Sequence, residues 1–455
     1  LYDLKDYKQA LTAARDLIKR FPGAAEEIRR SAWSVAGHSA YELKDYSEAE
    51  KAYTEVLGLI PEGDVSRKAL IDNLVASIYK QGEAANRVKN YKRAADHFLR
   101  ITTVAPTSSL RPTAEYDGAV ALIKIEEWQG AATVLTGFRK SFPKHKLQPE
   151  VTKKLAFIYR EDEKFALAAV EFERIEAEST DSALRQEVLL SAAELYEKVN
   201  DLDRAVNVYR RYVENFPKPI EINIETRDKL ASILKRQGQR NQYLEELRQI
   251  VTQEATAGAG QTVRTRQIAS VAALVLARLN YDECISVRLI KPFKKNLQRK
   301  QELMKKATES YSGLFDYEIG DVTAEATFYL AEIYADFSKA LLESERPEDL
   351  SALELEQYEL AIEEQAYPFE EKAIEMHQSN LELLSRDVYN IWIDKSLEKL
   401  AIFMPARYDK KEVKNNEIAF LTEFRFENIA LRPLPRVNAE PASEVKADKA
   451  QAGNQ

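Results

Sequence analysis

Two short segments constrain this chain more than anything else in it. DYKQALTAARDLIKRFP at 6–22 and DYSEAEKAYTEVLGLIP at 45–61 share an acid, a tyrosine, an alanine three residues on and a proline fifteen residues after the tyrosine. The same frame returns at Tyr91, Trp128, Phe165 and Leu202, with Ala10, Ala49, Ala94, Ala131, Ala168 and Ala205 at the small position. Pro22, Pro61, Pro106, Pro143 and Pro217 keep the fifteen-residue offset, and only Thr180 departs from it. Spacings of 39, 45, 37, 37 and 37 between markers lie in the range where each period encodes one supersecondary unit of a solenoid.

Inside each period the apolar residues recur at helical intervals. Seven and ten residues after the marker stand Tyr53 and Val56, Phe98 and Ile101, Phe172 and Ile175, Tyr209 and Tyr212. The alanine lets a neighbouring helix approach, and the proline ends the second helix because it cannot continue the backbone hydrogen bonds. Only 14 glycines and 15 prolines, with 31% charged residues, suit long helices. The expected fold is all-α, a solenoid of antiparallel helix pairs.

The formal net charge is −8 with both signs interleaved, which offers no basic face to nucleic acid. No apolar run reaches the length of a membrane span, and IASVAALVLARL at 268–279 reads as a core helix. A single cysteine, Cys284, excludes an intrachain disulfide. The chain opens at Leu1 without a methionine, inside a repeat whose first helix is missing, so a fragment of a longer protein is expected. The unpartnered helix around Tyr7 should then expose an apolar flank.

The pattern resembles the tetratricopeptide repeat, a helix-turn-helix of about 34 residues. Trp33 and Gly37 in AWSVAGHSAYELKDY occupy that family's Trp and small positions, Ala156 and Ala193 take the small position later, and Gly238 fits an interhelical glycine. The resemblance implies a right-handed superhelix, with about seven hairpins over residues 1–255, the first truncated. EAANRVK at 83–89 is extra, and should lengthen a helix or form a loop. Units such as DLDRAVNVYRRYVENFP are similar to those of envelope tetratricopeptide lipoproteins.

TAGAGQT near residue 256 marks the expected junction to an irregular helical region at 256–411. There RPEDLSALELEQYELAIEEQ follows a repeat-type first helix, and AYPFEEKAIEMHQSNLELLSR and VYNIWIDKSLEKLAIFMPARYDKKE read as two further amphipathic helices. Residues 320–412 resemble the C-terminal region of large bacterial envelope proteins of this class, linked to gliding motility and to Ton-type energy transducers (TonB with ExbB and ExbD). A short strap or strand is expected at 412–432 and a disordered tail at 433–455.

Chemistry is not expected. His38, His97, His145 and His377 are scattered without ligand spacing, so no metal or cofactor is expected, and acid pairs on helix faces read as salt-bridge formers. The family resemblance instead implies a concave groove lined by first helices. Carried over, its positions are Ser34, His38, Tyr41, Asp72, Tyr79, Tyr116, Lys153, Phe157, Arg160, Glu194 and Glu197. The co-chaperone carboxylate clamp is not reproduced: Ser34, His38, Thr113 and Asp117 stand at its positions, and only Asn73 matches. The leading expectation is a non-catalytic scaffold in the periplasm, docking envelope proteins or peptide segments of a Ton-type or motility machine. A cytosolic peptide-reading adaptor, or the recognition arm of an enzyme whose catalytic domain lies elsewhere, are the alternatives.

Overall fold

A computed structural model describes residues 1–410. The expected strap at 412–432 and tail at 433–455 lie outside the described residues. The chain divides into a unit at Leu1–Ser396 and a second beginning at Leu397. Among the described residues every regular element is helical.

The repeating part opens with α1 (Tyr7–Arg20), followed by hairpins in which a first helix turns back into a second. These are α2 (Glu26–Glu42) with α3 (Tyr46–Leu59), α4 (Arg67–Arg87) with α5 (Tyr91–Val104), and α6 (Arg111–Lys124) with α7 (Trp128–Ser141). Next come α8 (Gln148–Glu161) with α9 (Phe165–Glu178), α10 (Ser182–Lys198) with α11 (Leu202–Asn215), and α12 (Ile220–Arg236) with α13 (Arg240–Ala255). Sequential neighbours pack on one another, as an all-α solenoid requires.

Each hairpin turn is the same device. Lys44, Lys89, Glu126, Glu163, Asn200 and Gly238 have left-handed φ of 55–72° and sit two residues before the second helix. In the first of these turns, Lys44 N–H donates to Tyr41 O and Asp45 N–H to Ala40 O, the paired bonds of a Schellman cap, and the other five repeat the pattern. Only Gly238 takes this conformation without a Cβ penalty. The side chains of Asp6, Asp45, Asn90 and Asp201 then accept from the backbone N–H three residues on, a cap worth about 1 kcal/mol each. The acid or amide before each of these markers is thus a helix cap.

Every marker alanine is buried: Ala10, Ala49, Ala94, Ala131, Ala168 and Ala205. All five prolines stand two residues beyond a helix end. The remaining marker helix, α9, stops at the corresponding place although Thr180 replaces proline, so hairpin packing sets that end. A second small position, nine residues before the marker, faces the large residue seven after it. A Cβ on Gly37 would lie 2.8 Å from the Tyr53 ring, and one on Gly82 would lie 2.5 Å from Phe98. Ala119, Ala156, Ala193 and Ala231 hold the same place later, all buried. The 83–89 insertion resolves as added length in α4, which runs 21 residues.

Second helices are laced together by ion pairs one repeat apart. Arg15 meets Glu48 at 3.1 Å, Arg100 pairs with Glu50, Arg139 grips Glu171 through two bonds of 2.8 and 2.6 Å, and Arg211 reaches Glu173 at 3.0 Å. Most are partly solvated and individually weak. Arg139–Glu171 is the exception, with only 19% and 7% of the side chains exposed.

Beyond a short 3-10 turn at Gly258–Gly260 the helices lengthen: α14 (Val263–Ile285), α15 (Phe293–Ser312) and α16 (Gly320–Leu342). The core continues through the turn, since Ile224, Leu247 and Ile250 share a cluster with Ile268, Ala269 and Ala272. The Lys300 ammonium is buried and held by Asp336 at 2.5 Å and the Cys284 carbonyl at 3.2 Å. Burial pushes the Cys284 thiol up to about 11, so it is inert as a nucleophile at neutral pH.

Two sequence expectations need correction here. RPEDLSALELEQYELAIEEQ and AYPFEEKAIEMHQSNLELLSR are not separate helices but the two halves of one, α17 (Ala352–Glu382). It passes through Pro368 because that residue lies on the exposed side, where water can serve the carbonyl whose partner N–H is lost, while Ile362, Ala366, Ala373, His377 and Asn380 keep one buried stripe throughout. Conversely, VYNIWIDKSLEKLAIFMPARYDKKE is not one helix. It breaks at Pro405 into α18 (Ile391–Phe403) and α19 (Pro405–Tyr408).

Candidate functional site

Because each first helix stacks on the next, side chains in equivalent places form rows that cross the repeats. The residues expected to line the groove all fall on these helices: Ser34, His38 and Tyr41 on α2, Asp72 and Tyr79 on α4, and Tyr116 on α6. Lys153, Phe157 and Arg160 follow on α8, and Glu194 and Glu197 on α10.

Their availability differs sharply. Tyr79 is half-buried; its hydroxyl donates to Asp117 Oδ2 at 2.5 Å and its ring packs 5.1 Å from Phe98. Desolvation, then the neighbouring carboxylate, pushes the Tyr79 hydroxyl well above its ordinary value, and burial likewise raises Asp117. His38 lies 2.8 Å from the Tyr53 hydroxyl through Nδ1, and burial lowers its imidazole. The Tyr41 and Tyr46 rings meet edge to face at 5.4 Å, and Tyr116 packs against the core formed by α6, α7 and α8. Tyr79 and Tyr116 join neighbouring hairpins, whereas His38 and Tyr41 tie α2 to α3 within one hairpin. Ser34 is half-buried among them.

Glu194 accepts from Lys229 at 2.8 Å, while Glu197 takes the Tyr209 hydroxyl at 3.2 Å and lies 3.8 Å from Arg236. Lys153 pairs with Glu150 on its own helix, and Asp72 is exposed. Phe157 presents the clearest anchor. It is 38% exposed, edge-on to Trp128 with ring centres 6.0 Å apart, and covered on one side by the Arg160 guanidinium 5.8 Å from its centre. An exposed ring flanked by a guanidinium and an indole can bind an apolar or aromatic side chain and an acceptor together.

Sequence reasoning read Trp128 as a repeat marker and Asp117 as a clamp position without placing either beside the row, and it missed Lys229, Arg236 and the Arg264–Glu225 pair at 2.9 Å. Their signal was present: Tyr79–Asp117, Glu194–Lys229 and Glu225–Arg264 are 38, 35 and 39 residues apart, about one repeat each. Partners one period apart on a first helix are neighbours in space once the hairpins stack.

Among the described residues a Ser–His–acid chain runs through the core. Ser396 Oγ lies 3.2 Å from His377 Nδ1, whose Nε2 is 3.4 Å from Glu332. Ser396 and His377 are both 0% exposed, and Asn380 also donates to the Ser396 hydroxyl at 2.8 Å. A hydroxyl sealed in this way binds helices together and admits no substrate.

A stack of antiparallel helical hairpins with small-against-large contacts and an open first-helix row defines a solenoid built for contact with other macromolecules. Family models described as tetratricopeptide repeat match residues 1–64 and 187–219, and the chain carries tetratricopeptide repeats. No curated protein matches the sequence significantly. Similar solved structures include Naa15/Naa10 bound to HypK-THB, at 14% identity and TM-score 0.33, covering 89% of this chain and 62% of that one. A tetratricopeptide repeat protein from Parabacteroides merdae gives 12%, 0.25, 67% and 98% for the same measures, and yeast Tom70 gives 13%, 0.23, 60% and 60%.

Proposed function

We propose that this chain is a non-catalytic scaffold that docks protein segments along its first-helix row, with the exposed Phe157–Arg160 pair on α8 as the anchor. That pair carries the reading, because it couples an accessible ring to a cation whose ion pair, with Glu161 at 3.2 Å, stays on its own helix, whereas Tyr79, Glu194 and Glu197 are engaged by other helices. The segment it suits has an aromatic or large apolar residue near a carboxylate. Ser34, His38, Tyr41, Asp72, Tyr79, Tyr116, Lys153, Glu194 and Glu197 form the rest of the proposed row, the half-buried ones shaping it and the exposed ones supplying polar contacts.

The proposal extends to place. The likeness of residues 320–412 to large envelope proteins, and of the 37-residue units to envelope lipoproteins, supports a periplasmic scaffold for a Ton-type or motility machine. Among the described residues no helix is long and apolar enough to cross a membrane. Proximity labelling in the native cell tests both parts, comparing wild type with Phe157→Ala/Arg160→Ala. Envelope neighbours that disappear in the variant are the expected result. Envelope neighbours that persist would refute the anchor, and a cytosolic set would refute the compartment.

A further inference from the structure

The helix α17 has a second face that the fold does not use. Its buried stripe leaves the opposite side to solvent, and there Leu353, Leu360 and Tyr367 stand 66%, 60% and 59% exposed. They are seven residues apart, nearly two turns, so they form one straight row along a 31-residue helix. Single exposed leucines are ordinary, but an ordered row of large apolar groups is not.

Charge gives the row a direction. Between Leu353 and Glu375 the helix carries eight glutamates against one lysine, close to the whole chain's net −8. Glu356, Glu363 and Glu370 recur at the same seven-residue interval on one flank of the row, with Glu364 and Glu371 on the other. Among the described residues the ion pairs on this stretch are Arg346–Glu359 at 3.6 Å and Lys372–Glu375 at 3.1 Å, which leaves the flanking glutamates Glu356, Glu363, Glu364 and Glu370 outside any ion pair. A second copy laid on this face would set acid against acid, so self-association is disfavoured.

We infer that this face of α17 is a docking surface for a basic amphipathic helix from another protein, one that presents an apolar residue every seventh position flanked by lysine or arginine. The apolar row supplies the contact area, and the two acidic rows supply orientation and selectivity for a cationic partner. This surface is separate from the first-helix row proposed above and does not depend on it.

The test uses a fluorescein-labelled 21-residue helical peptide with leucine at each seventh position flanked by lysines, titrated with the full chain and read by anisotropy. Two control peptides share its composition or shape: one with the leucines scrambled, the other with glutamate for lysine. The expected result is saturable binding of the patterned basic peptide only, weakening at least tenfold in Leu360→Ser/Tyr367→Ser and in Glu363→Gln/Glu364→Gln, and as salt is raised. Both variants alter exposed side chains, and an unchanged circular dichroism melt verifies that they fold. Equal binding of the scrambled peptide would reduce the effect to net charge and overturn the proposal. So would binding that appears only after residues 411–455 are removed, because the chain would then supply its own occupant. A dimer in sedimentation velocity that Leu360→Ser/Tyr367→Ser converts to monomer would overturn it in favour of a second copy.

Discussion

The repeat depends on a small residue meeting a large ring, and Gly82 is the sharpest place to test it. A methyl at Gly82 would stand 2.5 Å from Phe98 Cε1 and 2.7 Å from Cδ1, about an ångström inside normal contact. Phe98 is almost fully buried and backed by the Tyr79 ring, so it has little room to yield. Overpacking of this kind costs ~1–3 kcal/mol, while replacing a helical glycine by alanine gains up to ~1 kcal/mol of propensity. For Gly82→Ala a net loss of about 1–2 kcal/mol is expected. Gly137, inside α7, has nothing within 4 Å of its would-be Cβ, so the identical change there should stabilise by about 0.5–1 kcal/mol. Urea denaturation followed by circular dichroism, with amide exchange over α4 and α5 to localise the effect, gives both signs. Phe98→Leu should cost less in the Gly82→Ala background than in wild type, because the smaller side chain relieves the overlap. Equal stabilisation by both alanines would refute the close-approach argument.

Three other outcomes follow from the same geometry. Arg139→Met should destabilise by about 2–3 kcal/mol because it removes both short bonds to the buried Glu171 carboxylate and leaves it only the half-exposed Arg174 at 3.9 Å, and adding Glu171→Leu should recover much of the loss; a double variant no more stable than the single one would contradict this. Gly238→Ala should cost ~1–2 kcal/mol at its φ of +72°, whereas Lys44→Gly at the equivalent turn should be neutral or stabilising, as thermal melts would show. Burial lowers the folded-state His38 and His97 imidazoles below the ordinary 6.5, the nearby Arg100 adding to the effect at His97, so the unfolded chain binds more protons and stability should fall as pH drops through about 6.5. Asp117, raised above its ordinary 3.8, acts in the opposite sense at lower pH, which makes 5.5–7.5 the window to measure; His38→Gln/His97→Gln should flatten the slope there.

Much of the solenoid was legible before any coordinates, because local rules repeat in register. Alanine three residues after each marker and the proline offset mark the second helices, since each requirement is met by a residue near in sequence, while the capping role of the acid or amide before the marker emerges with the structure. The first-helix row was legible in position but not in role. That Tyr79 and Glu197 are occupied by Asp117, Tyr209 and Arg236 depends on how helices pack within and between hairpins, which single-helix patterns do not encode.

The sequence by itself therefore determined an all-α chain, its hairpin period and the small and large positions, because helix propensity, capping and periodic burial act over a few residues. Only tertiary structure decided that α9 ends where its siblings do without proline, that α17 runs unbroken through Pro368, and that Phe157 stays open while Tyr79 is spent on its neighbour. Those outcomes turn on which face of a helix meets another helix and which meets water, and that is settled only when distant parts of the chain pack together.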